Sequence, residues 1–277
     1  MEDWPALHKW TFEFLKSAYG EDTVTPVAGL GSASFKVTKL WQYIEYLDAP
    51  SEKCHGFWID ASSRIPLLTA PQEAMSAPLY LLSWRAFQIH PELYEDIEPA
   101  PEFIEDWILS LTPALRDAFE WTCNREYWAL YVGPEGALSR LHVDFWGTHS
   151  YLAQIQGKKR CILFSPDDSK FLYEGDVDPE YPDLKRFKLL ERATAYEGTI
   201  VPGDMLFTPS GWWHQVRALE KSITVSHNFF NQVNFAEHVA SITRHLPAFV
   251  SGFEKAAAVR KALRIKWRCR GFDNDAC

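Results

Sequence analysis

Apolar residues along the first 124 positions recur at helical spacing. In "FKVTKLWQYIEYL" Trp41, Ile44 and Leu47 share one helical face, and "PEFIEDWILSLTPALRDAFEW" repeats the pattern with Phe103, Trp107, Ile108 and Leu111. Between them "CHGFWIDAS" is a short aromatic run of strand type, and the proline-rich "IEPAPEF" predicts a turn. From about 125 to 232 the period shortens. "YWALYVGPEG", "SRLHVDF", "SYLAQIQG", "KKRCILFSP", "GTIVPGD", "MLFTPSG", "WWHQVRAL" and "SITVSHNFF" follow one another as strand-length runs cut by Gly, Pro and Asp, at the spacing of a barrel or sandwich. Helical spacing returns from about 233 in "FAEHVASITRHLPAFV", and in the basic tail "VRKALRIKWRCR" Val259, Leu263 and Trp267 form an apolar stripe. The pattern predicts a mainly β core at 125–232, a helical region at 1–124 packing on it, and C-terminal helices over 233–277.

Composition narrows the class. With 47% hydrophobic residues, 15% aromatics and 12 tryptophans in 277 residues, the chain can bury a large core and is far from a disordered composition. Its net charge of −9 makes a nucleic-acid partner an unfavoured reading. Five cysteines without a C-x-x-C pair read as reduced thiols. The amino terminus "MEDWPALHKW" has no apolar segment of a secretion signal, and no run reaches the length of a membrane span. A cytoplasmic location without membrane partners is the expectation.

Within the β region, "SRLHVDFWGTHS" sets His142 and Asp144 one residue apart. With nine histidines in the chain, chance supplies a His-x-Asp about once in every two such sequences, so the spacing alone proves little. On a strand, however, both side chains project to one face while Val143 points away. A third donor, His214, follows the glycine turn of "PSGWWHQV". Two imidazoles and one carboxylate on one side of a metal leave the opposite positions open, the facial arrangement of non-haem Fe(II) oxygenases. Such iron needs a two-electron co-substrate, commonly 2-oxoglutarate, whose distal carboxylate needs a cation. Lys159 in "GKKRCILF" is the candidate, pointing inward while Lys158 and Arg160 point out. On the last strand Thr224, Ser226 and Asn228 share a polar face suited to a ligand cavity.

Taken together, "YVGPEGALSRLHVDFWGTHSYLAQIQGKKRCILFSPDD", "GTIVPGDMLFTPSGWWHQV" and "SITVSHNFFN" resemble the jumonji-C hydroxylases of the cupin-like Fe(II)/2-oxoglutarate-dependent oxygenase superfamily. The resemblance is dense over 125–232 and extends more weakly upstream. It implies a double-stranded β-helix, a jelly-roll or cupin-like barrel, flanked by N- and C-terminal helices. It assigns iron to His142, Asp144 and His214, and the distal carboxylate of 2-oxoglutarate to Lys159 with Ser139 beside it. Asn228 matches a residue near the chelating end. Where relatives place a carboxylate-binding tyrosine on an upstream strand, Trp58 takes the aligned position, and a polar position often filled by asparagine corresponds to Ser150 or Leu152. The remaining histidines, His149 and His227 among them, read as structural.

The resemblance implies a hydroxylase that uses Fe(II), 2-oxoglutarate and O2 on an unactivated C–H bond, with an amino-acid side chain in a protein or peptide as the expected substrate. A free amino acid or other metabolite is the alternative, and RNA comes third. A different class, a non-catalytic metal-binding cupin-like module or a metal-dependent isomerase, would not require the Lys159, Ser139 and Asn228 set. The acidic "YEGDVDPEYPD" reads as a solvated loop; at the mouth of the site it would favour a cationic substrate. Relatives often dimerise through C-terminal helices, which makes a homodimer the expectation here.

Overall fold

The structure, a computed structural model, describes residues 1–29, 32–49, 54–63, 65–67, 69, 77–98, 104–108, 127–241 and 244. The N-terminal region opens with helices α1 (Ala6–Lys9) and α2 (Phe12–Tyr19). It continues through strands β1 (Thr23–Val24) and β2 (Ser34–Lys39), helix α3 (Leu40–Asp48), and strands β3 (Phe57–Asp60) and β4 (Pro66–Leu67). The four strands form one antiparallel sheet in chain order. The strand expected in "CHGFWIDAS" is β3, but the region is less helical than its periodicity predicts. In β2 the buried Ser34, Lys36 and Thr38 alternate with Phe35, Val37 and Lys39, a period of two. Phe35 and Val37 run straight into the apolar positions of α3, so strand and helix read as one long helical pattern. Of the helix expected around 103–111, residues 104–108 are described and contain no α-helix; Phe103 and Leu111 lie outside the described residues.

Strand β5 (Leu81–Trp84) leaves this region and pairs with β6 (Trp128–Gly133). The remaining strands are β7 (Leu138–Val143), β8 (His149–Gln156), β9 (Lys159–Phe164), β10 (Tyr196–Ile200), β11 (Met205–Thr208), β12 (Trp213–Ala218) and β13 (Ser222–Phe229). They form two antiparallel sheets, β11-β8-β13-β6-β5 and β10-β9-β12-β7. The chain passes back and forth between the sheets, so eight strands close into the double-stranded β-helix expected from the motifs.

Each face has its own packing partner. The outer face of the five-stranded sheet buries Tyr151, Val225 and Phe229 against Trp4, Trp10 and Phe87 of the N-terminal region, in one continuous core. Residues 166–192 fold over the outer face of the four-stranded sheet, where Leu172, Val177 and Phe187 cover Ile162 and Phe164. Between the sheets Leu152, Cys161, Leu163 and Val216 form a smaller apolar core. Burial of apolar surface at roughly 25 cal/mol per Å² makes these layers the main source of stability. Residues 235–241 are helical, and the tail carrying Val259, Leu263 and Trp267 lies outside the described residues, as does the dimer contact expected from it. No helix among the described residues is long and apolar enough to cross a membrane.

Candidate active site

At one end of the barrel β7 and β12 run side by side with His142 opposite His214. Directly paired residues of antiparallel strands share a face, so both imidazoles enter the cavity, their rings 4.2 Å apart. Asp144, just past the end of β7, sets Oδ1 3.9 Å from His142 Nε2 and Oδ2 3.9 Å from His214 Nε2. The donor atoms of all three lie within 4.8 Å of one another. His142 Nδ1 donates to the Arg140 carbonyl at 2.6 Å and His214 Nδ1 to the Trp212 carbonyl at 3.3 Å. A carbonyl only accepts, so each Nδ1 carries the proton and each Nε2 keeps its lone pair for a cation. Ser150 Oγ donates to Asp144 Oδ2. Two neutral imidazoles and a carboxylate so arranged could hold an ion such as Fe(II).

The other end of the cavity is built around Lys159. It opens β9 with 1% exposure, while Lys158 pairs with Glu220 and Arg160 with Glu180 and Glu197 on the outside. Lys159 Nζ donates to the Tyr80 hydroxyl at 2.8 Å and lies 5.9 Å from the centre of the Tyr131 ring. Ser139 hydrogen-bonds the same Tyr80 phenol. Burial pushes the ammonium down to about 7 and holds the phenol protonated far above its ordinary range, with Tyr131 adding to the latter. No carboxylate among the described residues forms an ion pair with Lys159. Strict alternation would put Ser139 and His142 on opposite faces of β7. The pairing shifts register between them: Ser139 faces Val216 and His142 faces His214, three residues on β7 against two on β12. That bulge turns both side chains into one cavity.

The opposite wall comes from the five-stranded sheet. Thr224, Ser226 and Asn228 are buried on the inner face of β13, as their spacing predicts. Thr224 donates to Gln154 Oε1 at 2.9 Å, and Asn228 donates to Thr148 Oγ1 at 3.0 Å. Thr208 pairs with Ser150 and so faces inward; its hydroxyl is buried without a hydrogen-bond partner among the described residues.

With that geometry in view, the chain matches the cupin-like domain family over residues 1–235. The chain belongs to the cupin-like domain family. Among curated relatives, lysine-specific demethylase 8 of Xenopus tropicalis is 31% identical over 235 residues, 82% of this chain and 45% of the relative. The 2-oxoglutarate and iron-dependent oxygenase JMJD4 of Mus musculus is 27% identical, over 84% of this chain and 54% of its own. Lysine-specific demethylase JMJ21 of Arabidopsis thaliana is 27% identical, over 84% of this chain and 23% of its own. The jumonji-C resemblance drawn from the motifs is thereby borne out. The chain spans between about a quarter and about half of the length of these relatives.

Within this cupin-like protein the aromatic partner of the lysine differs from expectation. Trp58 lies on β3, which among the described residues pairs with β2 and β4, and there it packs under the Lys36 ammonium at 5.2 Å. The phenols at Lys159 are those of Tyr80, just ahead of β5, and Tyr131 on β6. Both β8 candidates for the position that is often asparagine in relatives point inside, Ser150 at the triad and Leu152 in the apolar core, and Gln154 joins them unannounced by any motif. His227 points out of the cavity, bonded to Asp106 at 2.7 Å and stacked on Trp128. In the acidic segment, Glu180 binds Arg160 and Arg217, while Asp178 accepts from Gln215 at 2.7 Å, all on the outer face of the four-stranded sheet. With Asp183, which accepts from the Lys185 and Arg186 amides, at least three of its five carboxylates thus have partners within the chain.

Proposed function

We propose that this chain is an Fe(II)- and 2-oxoglutarate-dependent oxygenase that hydroxylates an unactivated C–H bond, in an amino-acid side chain of a protein or peptide. The observation that carries the reading is the pairing, within one barrel, of a His-Asp-His donor set with a buried lysine that has no counter-ion among the described residues. Leu163, the register partner of His214, lies four residues along β9 from Lys159, about 13 Å at 3.3 Å per residue. The lysine's own stem spans part of that distance, and a five-carbon diacid with a chelating keto-acid end spans the rest.

His142, Asp144 and His214 would hold the iron, and Ser150 fixes the Asp144 oxygen that faces His214. Bound iron supplies activation of oxygen coupled to decarboxylation of the co-substrate. Lys159 supplies charge to the distal carboxylate, while the Tyr80 hydroxyl holds the ammonium head and Ser139, bonded to that phenol, offers a second hydroxyl that can donate to the same anion. Arrival of the carboxylate restores the lysine's proton affinity, so binding above about pH 7 takes up a proton. Asn228 and the free Thr208 hydroxyl stand at the triad end, where they can contact the chelating group or the substrate. Leu152, Cys161 and Val216 keep the middle of the barrel dry, which strengthens each of these charge contacts.

A protein or peptide substrate accords with the names of two of the relatives, which are lysine-specific demethylases. The test is conversion of 2-oxoglutarate to succinate by purified protein with Fe(II), followed by mass spectrometry of peptide libraries for a gain of one oxygen. Turnover that depends on Fe(II) and vanishes in Asp144→Ala supports the reading. Metal binding without any 2-oxoglutarate turnover would instead favour the non-catalytic cupin-like module.

A further inference from the structure

The triad is assembled by two loops, the turn Phe145–Gly147 that follows Asp144 and residues 209–212 that precede His214. One short C-terminal segment grips both. Asn234 Nδ2 donates to the Gly147 carbonyl at 2.8 Å, and His238 Nδ1 donates to the Trp146 carbonyl at 2.9 Å. Toward the other loop, Ser210 Oγ donates to Glu237 Oε2 at 3.2 Å. The Ser210 amide donates to His149 Nδ1 at 2.9 Å, and the His149 ring also hydrogen-bonds the Asn231 side chain.

The grip is built rather than incidental. Asn234 and His238, one helical turn apart, are 4% and 2% exposed. Asn234 Oδ1 accepts from the Asn231 amide at 2.9 Å, and the His238 ring stacks on Phe230 at 4.3 Å. Its target needs outside support. Trp146 sits at φ +54°, ψ +28°, the left-handed region that a residue with a Cβ avoids. Such a conformation persists only where its surroundings over-determine it. From inside the barrel the turn is held by Thr148, whose hydroxyl donates to the Phe145 carbonyl at 2.9 Å, with Asn228 behind it. From outside it is held by Asn234 and His238.

We infer that Asn234 and His238 are positioning residues of the metal centre: they fix the strained turn that aims Asp144, while Glu237 ties the His214 loop to the same segment. The inference rests on the reading of His142, Asp144 and His214 as metal ligands. The probe is Co(II), followed by its d–d absorption, in titrations of the full chain. In the Asn234→Ala/His238→Phe double variant the Kd for Co(II) should rise tenfold or more and the d–d bands should change shape. His238→Gln, whose amide can reach the same carbonyl, should retain most of the wild-type affinity. Leu15→Ala, at a fully buried position on α2 in the N-terminal region, supplies a control with comparable loss of Tm and should keep wild-type affinity and bands. Should the double variant fail to fold, Asn234→Ala alone takes its place with the same expected direction. Wild-type Co(II) affinity and spectrum in the variant would overturn the inference, as would an equal loss in Leu15→Ala. A wild-type spectrum no different from that of Asp144→Ala would overturn the metal reading itself, and the inference with it.

Discussion

The two ends of the barrel cavity are opposites. At the triad end the three donor side chains are already anchored by the protein: each Nδ1 is bonded to a backbone carbonyl and Asp144 is bonded to Ser150. What converges there is a cluster of possible ligand atoms. At the Lys159 end a cation is sealed away from water, and the described groups around it are hydroxyls, rings and the Cys161 thiol. Burying an unbalanced charge is expensive enough that the group sheds affinity for its proton instead. One end therefore lacks a cation and the other lacks an anion. A cavity polarised in this way is stable as a fold and incomplete as a charge distribution, and under the proposed function a metal and a dicarboxylate together would complete it.

That contrast can be broken from either side, and the largest effect belongs to the triad. Asp144→Ala or His214→Ala should abolish Fe(II)-dependent turnover while the Tm of the metal-free protein stays within a few degrees of wild type. Full turnover at matched Fe(II) in either variant would remove the oxygenase reading. Next comes Lys159→Met, which keeps the stem and removes the charge. The KM for 2-oxoglutarate should rise by roughly tenfold or more, the worth of a charge-assisted hydrogen bond. An unchanged KM would strip the pocket of its proposed ligand, because Arg160, the neighbouring cation on β9, is paired on the outer face.

The same lysine gives the ligand-free fold a characteristic pH dependence. Between about pH 7 and the ordinary value of 10.5 the unfolded chain holds a proton on Lys159 that the folded chain does not. Stability should accordingly rise with pH across that window, by on the order of a few kcal/mol, with the full penalty present below it. Urea unfolding at pH 6.5 and 9.5 should show the gain in wild type and a flatter response in Lys159→Met; parallel responses would mean that the lysine stays protonated in the fold. The smallest effect is at Thr208. Thr208→Val removes a buried hydroxyl without a partner among the described residues and should leave the ligand-free protein equal or more stable by up to about 1 kcal/mol. A clear loss of Tm would reveal a bond that the hydroxyl makes to the fold itself.

Legibility from sequence followed sequence distance. His142 and Asp144 are neighbours on one strand, so alternation alone places them together, and the period-two polar face of β13 is equally local. Tyr80 is 79 residues from Lys159, and nothing in "APLYLLSW" marks it as a pocket residue; only the pairing of β5 with β6 brings it there. The placement of Trp58 shows the same limit, since alignment supplies an order along the chain and no sheet. The β7 bulge was invisible because one extra residue leaves no trace in a hydropathy pattern. Asn234 and His238 carry only a weak signal, a polar i, i+4 pair in a segment of mixed polarity, with nothing to point at without the turn they hold.

The entry of β5 into the larger sheet also bears on what counts as a unit of inheritance here. A fragment cut at residue 125 would look like a complete barrel, yet it would leave β6 as a bare edge and open the lysine to solvent where the Tyr80 phenol had closed it. Bare edges recruit other edges. Such a fragment is expected to self-associate and to lose its grip on dicarboxylates even where it folds. The pocket is therefore not portable with the jelly roll: grafting this site elsewhere means carrying a strand from outside the motif that defines it.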